Sequence, residues 1–181
     1  MTDRRVHTAS EVRLASVFSL DCIETIPSGT KKDAVVELLL QSLANARLLA
    51  QQQVPDLATA MMDRERAGST ALGKGLAMPH LRTKAVSRFV GAIGLAPDGI
   101  NFQSIDGAPT KLVFLVLGPF EQRERHLELM GRLSALMRDK ATLMFLQCRR
   151  TRREVHEYLA ELDARFNEVP GSTADLATTT R

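Results

Sequence analysis

The sequence contains no tryptophan, a single tyrosine and seven phenylalanines, so aromatics make up only 4% of its 181 residues. That scarcity argues against the stacked aromatic platforms that hold single-stranded nucleic acid. Cysteine is also scarce. Cys22 and Cys148 lie far apart, with neither a metal-ligand spacing nor a disulfide framework, and are read as reduced packing thiols. Long apolar runs are missing. The longest, Leu112–Leu117, falls well short of the roughly 20 residues that span a bilayer. The opening stretch MTDRRVHTASEVRLAS has no apolar core of the kind a secretion signal requires. A cytoplasmic protein without membrane insertion is expected. Strong charge of one sign is lacking too. The formal net charge is +3, and apart from a cluster at Arg149–Arg153 the basic residues are spread along the chain. Without a single basic face, nucleic acid is not an expected partner.

Several catalytic signatures are also absent. The glycine-punctuated stretch Gly68–Gly75 runs into Lys74-Gly75-Leu76, where a phosphate-binding loop needs Gly-Lys-Ser/Thr. There is no His-Glu-x-x-His or other ligand-spaced pair for zinc, no Gly-x-Ser-x-Gly elbow and no evident acid pair. Neither a metal nor a cofactor is expected.

What remains is a chain of ordinary globular composition, 44% hydrophobic and 25% charged, long enough for one real core. Residues 1–10 read as a loose polar segment, 11–168 as one domain, and 169–181, ending GSTADLATTTR, as a disordered tail. A helix is expected after Thr30, which with Asp33 has capping-box-like spacing. Its apolar positions are Val35, Leu38, Leu39, Leu43, Ala46 and Leu49. A second helix opens at Pro55, runs to about Arg66 and is ended by Gly68. The short apolar run Leu76–His80 follows. Arg88–Leu95 and Lys111–Leu117 are strand-like, the second apolar enough to be covered on both faces. Pro97-Asp98-Gly99 and Asp106–Pro109 read as turns. A helix from about Glu121 should bury Leu127, Met130, Leu133 and Met137. A short helix at Ala141–Gln147 follows, and the last helix buries Val155, Tyr158, Leu159, Leu162 and Phe166. This order predicts an α/β fold: a single-domain sandwich with a mixed β-sheet flanked by helices.

Histidine is the remaining candidate chemistry. His7 sits in the polar opening segment and is read as inert. His156, one position after the core residue Val155, is read as a solvated or rim residue. His80 follows Pro79 at the end of the short apolar strand. The proline fixes its own φ and restricts Met78 to extended geometry, which aims the next side chain rigidly. His126 opens an amphipathic helix, where free backbone N–H groups attract anions. A neutral imidazole is a nucleophile near neutral pH, and arginine offers a planar fork to phosphate oxygens.

The run from Arg64-Glu65 through Gly68-Ser69-Thr70, the turn bracketed by Gly73 and Gly75, and Met78-Pro79-His80 resembles the enzyme IIA domain of the fructose/mannitol type of the bacterial phosphoenolpyruvate-dependent phosphotransferase system. The resemblance continues through Ile105-Asp106-Gly107, the apolar strand 112–117 and His126-Leu127, and spans about residues 15–165. It implies an α/β sandwich and a phosphocarrier. His80 would be the phosphorylated histidine, His126 the second active-site histidine, and Arg64 the arginine that neutralises the phosphoryl charge. Glu65, Ser69 and Thr70 would be supporting neighbours. The implied donor is the phosphocarrier protein HPr or its nitrogen-branch relative. The implied acceptor is a IIB domain or a regulated target protein. No metal or nucleotide is implied, because the phosphoryl group arrives already activated on nitrogen. The Gly68-Ser69-Thr70 run resembles the nitrogen-regulatory branch. A sugar-uptake component and a non-catalytic partner-binding relative remain as alternatives. One position departs from the family pattern: Leu81 stands where glycine is usual. This leaves the loop geometry open and makes Leu81 a candidate partner contact. Ala77, Met78 and Leu81 are expected to form an apolar, concave surface around His80.

Overall fold

The computed structural model of the protein describes residues 12–167. His7, the whole opening segment 1–10 and the expected tail lie outside them, and the Phe166 side chain is likewise not described. The strand β6 (Thr110–Pro119) runs through the middle of a six-stranded mixed sheet. Its unbroken apolar sequence follows from burial on both faces. Leu112, Phe114 and Val116 enter the core on one side, and Val113, Leu115 and Leu117 enter it on the other. The long strand β5 (Val90–Ile100) pairs with β6 antiparallel, and β1 (Ile23–Thr25) adds to β5 in parallel.

Beyond β6 lie β3 (Leu76–Ala77) and β4 (His80–Thr83), both parallel to it, with β2 (Ala71–Gly73) antiparallel to β3. Ala77 stands opposite Val113 and His80 opposite Val116. The register is thus kept across Met78-Pro79, and β3 and β4 are one strand course interrupted there. Between β2 and β3 the chain turns through Gly73, Lys74 and Gly75, all at positive φ.

Helices α2 (Lys32–Asn45) and α3 (Val54–Arg66) cover one face of the sheet. The other face carries α1 (Leu14–Val17), α4 (Arg123–Arg138), α5 (Lys140–Gln147) and α6 (Arg152–Asn167). The α/β sandwich with a mixed sheet therefore stands.

Several local expectations need correction: Cys148 is exposed and so is not a packing thiol, and α2 ends at Asn45, short of Ala46 and Leu49. The Thr30/Asp33 capping box does not form: the Thr30 hydroxyl donates to the Pro27 carbonyl, while Asp33 accepts from the Ala34 N–H. Pro97–Gly99 stays within β5, as an irregularity between Leu95 and Ile100, instead of forming a separate turn. His80 opens a strand instead of closing one. On α4 the buried face is rotated from the expected one: Leu127 is 60% exposed, whereas His126, Leu129, Leu133 and Leu136 are buried.

Asp163 ties the two ends of the domain together. Its fully buried carboxylate accepts hydrogen bonds from the Leu14 and Ala15 N–H groups, each at 2.9 Å, at the otherwise uncapped start of α1. It also meets Arg132 Nη2 at 2.9 Å, while Arg132 Nη1 donates to the Val12 carbonyl at 2.8 Å. Removing the carboxylate strands buried donors and a largely buried guanidinium. Asp163→Ala should therefore cost about 3–5 kcal/mol in denaturant-unfolding stability. A variant as stable as the parent would show that these donors are satisfied elsewhere.

Candidate active site

The site begins at the break between β3 and β4. In a regular antiparallel pair, opposed residues exchange two N–H···O=C bonds. Thr70 and Met78 make only one, from the Met78 N–H to the Thr70 carbonyl at 3.0 Å. The Thr70 N–H instead donates to Glu65 Oε1 at 2.8 Å. The Met78 carbonyl is left for a different partner, the Nδ1 of His80, at 2.9 Å. Pro79 has no N–H to offer, and its carbonyl accepts from the Val116 N–H at 2.9 Å, which resumes the ladder with β6.

A carbonyl only accepts, so His80 Nδ1 must carry the proton and Nε2 must hold the free lone pair. Burial lowers the pKa of His80, and the nearby Arg64 charge lowers it further. The Met78 carbonyl and Glu65 push the other way without reversing the shift. The balance of these effects favours the neutral imidazole.

His126 sits in the first turn of α4, beside His80, with ring centroids 5.5 Å apart, and against Phe89 at 6.2 Å. Gly118 makes room for both rings. A Cβ there would lie 2.7 Å from His126 Nδ1 and 2.7 Å from the Phe89 ring. Burial, then the positive charge that His80 carries when it is protonated and that of Arg82, push the pKa of His126 down to about 4. Its Nδ1 is buried without a hydrogen-bond partner, which leaves Nε2 as the nitrogen able to bond into the cleft.

The two histidines open on a cleft of about 330 Å³ that is also lined by Arg64, Leu81, Arg82, Phe120, Arg123 and Leu127. Arg64, in the last turn of α3, donates Nη1 to the Gly68 carbonyl at 2.9 Å. Arg82 Nη1 donates to the Phe120 carbonyl at 2.8 Å, and its guanidinium lies over the Phe120 ring at 5.4 Å. Three arginines and two neutral imidazoles, with no acid among the lining residues, suit an anion. Two larger hollows, beside Lys31 and beside Glu124, contain no histidine. Among the described residues no group of three or more His, Cys, Asp or Glu side chains is placed to hold a metal ion.

The structure thus brings His80, His126, Arg64 and Leu81 together. Glu65, Ser69 and Thr70 do not line the cleft. Glu65 is buried and accepts from the Ser69 hydroxyl at 3.0 Å, from the Thr70 hydroxyl at 2.5 Å and from Lys32 Nζ at 2.7 Å. Met78 and Ala77 are core residues, so the expected apolar surface is made instead by Leu81, Phe120 and Leu127, set among arginines. Leu81 is extended within β4, not at positive φ, and packs partly against the α2–α3 side of the core. Glycine is therefore not required there by backbone conformation. His156 is half-buried, with Nε2 3.2 Å from the Ala15 carbonyl. Sequence reasoning missed Arg82, Arg123, Phe120 and Gly118. Only the position of Arg82 in the same short strand as His80 could have signalled one of them.

An α/β sandwich that presents a paired-histidine cleft at a strand break defines a recognisable class. A model of the family described as the EIIA 2 component of the phosphoenolpyruvate-dependent sugar phosphotransferase system matches residues 16–162, and the chain belongs to that family. A nitrogen regulatory protein from Bradyrhizobium diazoefficiens is 32% identical over 73% of this chain and 84% of its own length. The fructose-specific EIIABC component of Bacillus subtilis is 33% identical over 70% of this chain, which spans only 20% of that longer protein. The crystal structure of the nitrogen regulatory protein IIA-Ntr from Neisseria meningitidis superposes with a TM-score of 0.71 at 27% identity, covering 80% of this chain and 97% of that one. Among the described residues no helix is long and apolar enough to cross a membrane.

The lowered pKa values carry a prediction. Between about pH 6.5, the ordinary imidazole value, and about 4, unfolded His126 binds a proton that folded His126 does not. Its stabilising contribution is fully present above the upper limit and is lost as pH falls through this window. Denaturant midpoints measured from pH 7 to pH 4 should decline accordingly, and His126→Gln should flatten part of that decline. An unchanged slope in the variant would contradict the assigned environment of His126.

Proposed function

We propose that His80 accepts a phosphoryl group on Nε2 from the phosphohistidine of HPr or its nitrogen-branch relative, and that the protein is a regulatory IIA component of that branch. The observation that carries this reading is the bond from His80 Nδ1 to the Met78 carbonyl, which leaves Nε2 bare beside His126 in the arginine-lined cleft. As the donor's N–P bond breaks, its electron pair returns to the donor nitrogen, and the Nε2 lone pair of His80 forms the new N–P bond. No proton needs to move. The positive charge that develops on the His80 ring is eased by the Met78 carbonyl, while Arg64 and the Nε2–H of His126 face the phosphoryl oxygens. Positioning and charge stabilisation supply the catalysis.

Nitrogen regulatory proteins among the relatives support a regulatory role. The fructose-specific relatives support a second reading, in which the phosphoryl group passes on to a IIB domain for sugar uptake. The two readings differ in the fate of the phosphoryl group. That group adds about two negative charges beside Leu81, Phe120 and Leu127. A regulator should bind its target in one phosphorylation state only, whereas a transport component should lose the charge quickly to its IIB partner.

Incubation with labelled phosphoenolpyruvate, enzyme I and a cognate HPr should give acid-labile phosphate on the protein. His80→Ala should abolish the label without unfolding the chain, and labelling that survives this change would place the nucleophile elsewhere. Arg64→Ala and His126→Ala should still be labelled, but slowed by roughly 10²–10³, or about 2.7–4 kcal/mol each. Native rates in both would reduce them to structural residues.

Leu81 has its own test. The Leu81→Gly protein should accept phosphate from a generic HPr at least as fast as the parent while binding its regulated target less well. Equal target affinity would make Leu81 neutral for partner choice.

A further inference from the structure

Lys32 lies outside the motif around His80 and outside its cleft. It opens α2, its side chain is only 11% exposed, and its Nζ lies 2.7 Å from Glu65 Oε1 and 4.8 Å from the centre of the Phe102 ring. The Glu65 side chain is 3% exposed. Burial works to raise the Glu65 pKa, but Lys32 and the hydrogen bonds from Thr70 and Ser69 outweigh it, and the carboxyl stays below its usual range. Glu65 is therefore a charged, fully engaged acceptor. It takes both polar hydrogens of Thr70, from the backbone N–H at 2.8 Å and from the hydroxyl at 2.5 Å.

That engagement matters because of what Thr70 would otherwise do. Its N–H is the group that a regular ladder would direct at the Met78 carbonyl. With the N–H turned onto Glu65, the Met78 carbonyl has its capacity free for His80 Nδ1. The Thr70 carbonyl still holds the Met78 N–H and the Val116 N–H holds the Pro79 carbonyl, so the Met78–Pro79 peptide between them is anchored on both flanks.

We propose that Lys32, through its ion pair with Glu65, is a positioning residue for the His80 nucleophile: the pair keeps the Thr70 N–H off the Met78 carbonyl and so reserves that carbonyl for the imidazole. This rests on the reading of His80 as the phosphoryl acceptor. Lys32 never meets the phosphoryl group. Its effect passes through the carboxylate, the Thr70 peptide and the Met78 peptide, and ends in which ring nitrogen of His80 carries the proton. Without Lys32 the buried carboxylate loses its counter-charge and its fixed position. The Thr70 N–H then competes for the Met78 carbonyl, and His80 loses the partner that selects one tautomer.

The test uses full-length protein with ¹⁵N-labelled histidine and two readouts, the ring-nitrogen shifts of His80 and phosphoryl acceptance from HPr. The parent should show one tautomer, protonated at Nδ1. Lys32→Met should show a mixture of tautomers. At saturating donor its turnover should fall on the order of 10- to 100-fold, with the donor KM unchanged, because a small misplacement of the reacting atom is costly while the docking face is untouched. Lys32→Arg, which keeps the charge, should retain the single tautomer. If Lys32→Met does not fold, Lys32→Met/Glu65→Gln takes its place, since it leaves no unpaired buried charge. It should still show mixed tautomers, because Thr70 gives its N–H to one carboxylate oxygen and its hydroxyl to the other, and glutamine replaces one of these acceptors with an NH2 donor and carries no charge to hold the N–H. A folded variant that keeps a single Nδ1-protonated tautomer and parental turnover overturns the proposal, as does a loss of stability alone with the tautomer unchanged. Should the parent accept no phosphoryl group, the functional reading fails, and the tautomer measurement alone still decides the role of Lys32.

Discussion

One hydrogen bond, from His80 Nδ1 to the Met78 carbonyl, gives the surrounding structure its purpose. It can exist only because a strand stops being regular for the length of Met78-Pro79 and then resumes in the same register. Proline removes a donor, Thr70 withholds another, and β6 continues to hold the chain on either side. The sheet thus supplies rigidity while one of its carbonyls is withdrawn from sheet bonding. A loop could have offered the same carbonyl, but not with its direction fixed by ladder bonds on both flanks.

The electrostatics follow from that placement. Arginines are gathered around two imidazoles that burial keeps uncharged. The free site therefore gathers its positive charge on guanidinium groups and leaves the two imidazoles outside that set. Burial disfavours the charged form of each imidazole and so keeps the lone pair of His80 Nε2 available. Gly118 is the steric condition for this arrangement, since any side chain there would drive His126 and Phe89 out of their shared space.

Much of this was legible in the sequence, for particular reasons. The unbroken apolar run of β6 announced a doubly covered strand, and the Gly73-Lys74-Gly75 turn was marked by its glycines. Pro79 beside His80 pointed to a rigidly aimed ring. The roles assigned to His80, His126 and Arg64 came from resemblance, because no spacing in the chain links a strand break to the first turn of a helix more than forty residues later. The short elements α1 and β1 carry too few residues to show a period and are fixed by contacts across the fold. On α4, reading the apolar residues alone put Leu127 inward. The structure turns His126 inward instead, because the sheet leaves space at Gly118. Lys32 gave no signal at all, since a lysine in a first helical turn normally reads as solvated.

The contact between Asp163 and α1 joins residues 149 positions apart, and this has a consequence for synthesis on the ribosome. Strands β1 to β6 emerge early and can begin to pair, but the amides that open α1 have no acceptor until nearly the whole domain has left the exit tunnel. Until then α1 meets the sheet through contacts such as Phe18 against Phe114, and the side of α1 that α6 covers stays open. A nascent chain halted before that point therefore lacks the carboxylate that the opening amides of α1 require and leaves the apolar face under α6 open to water.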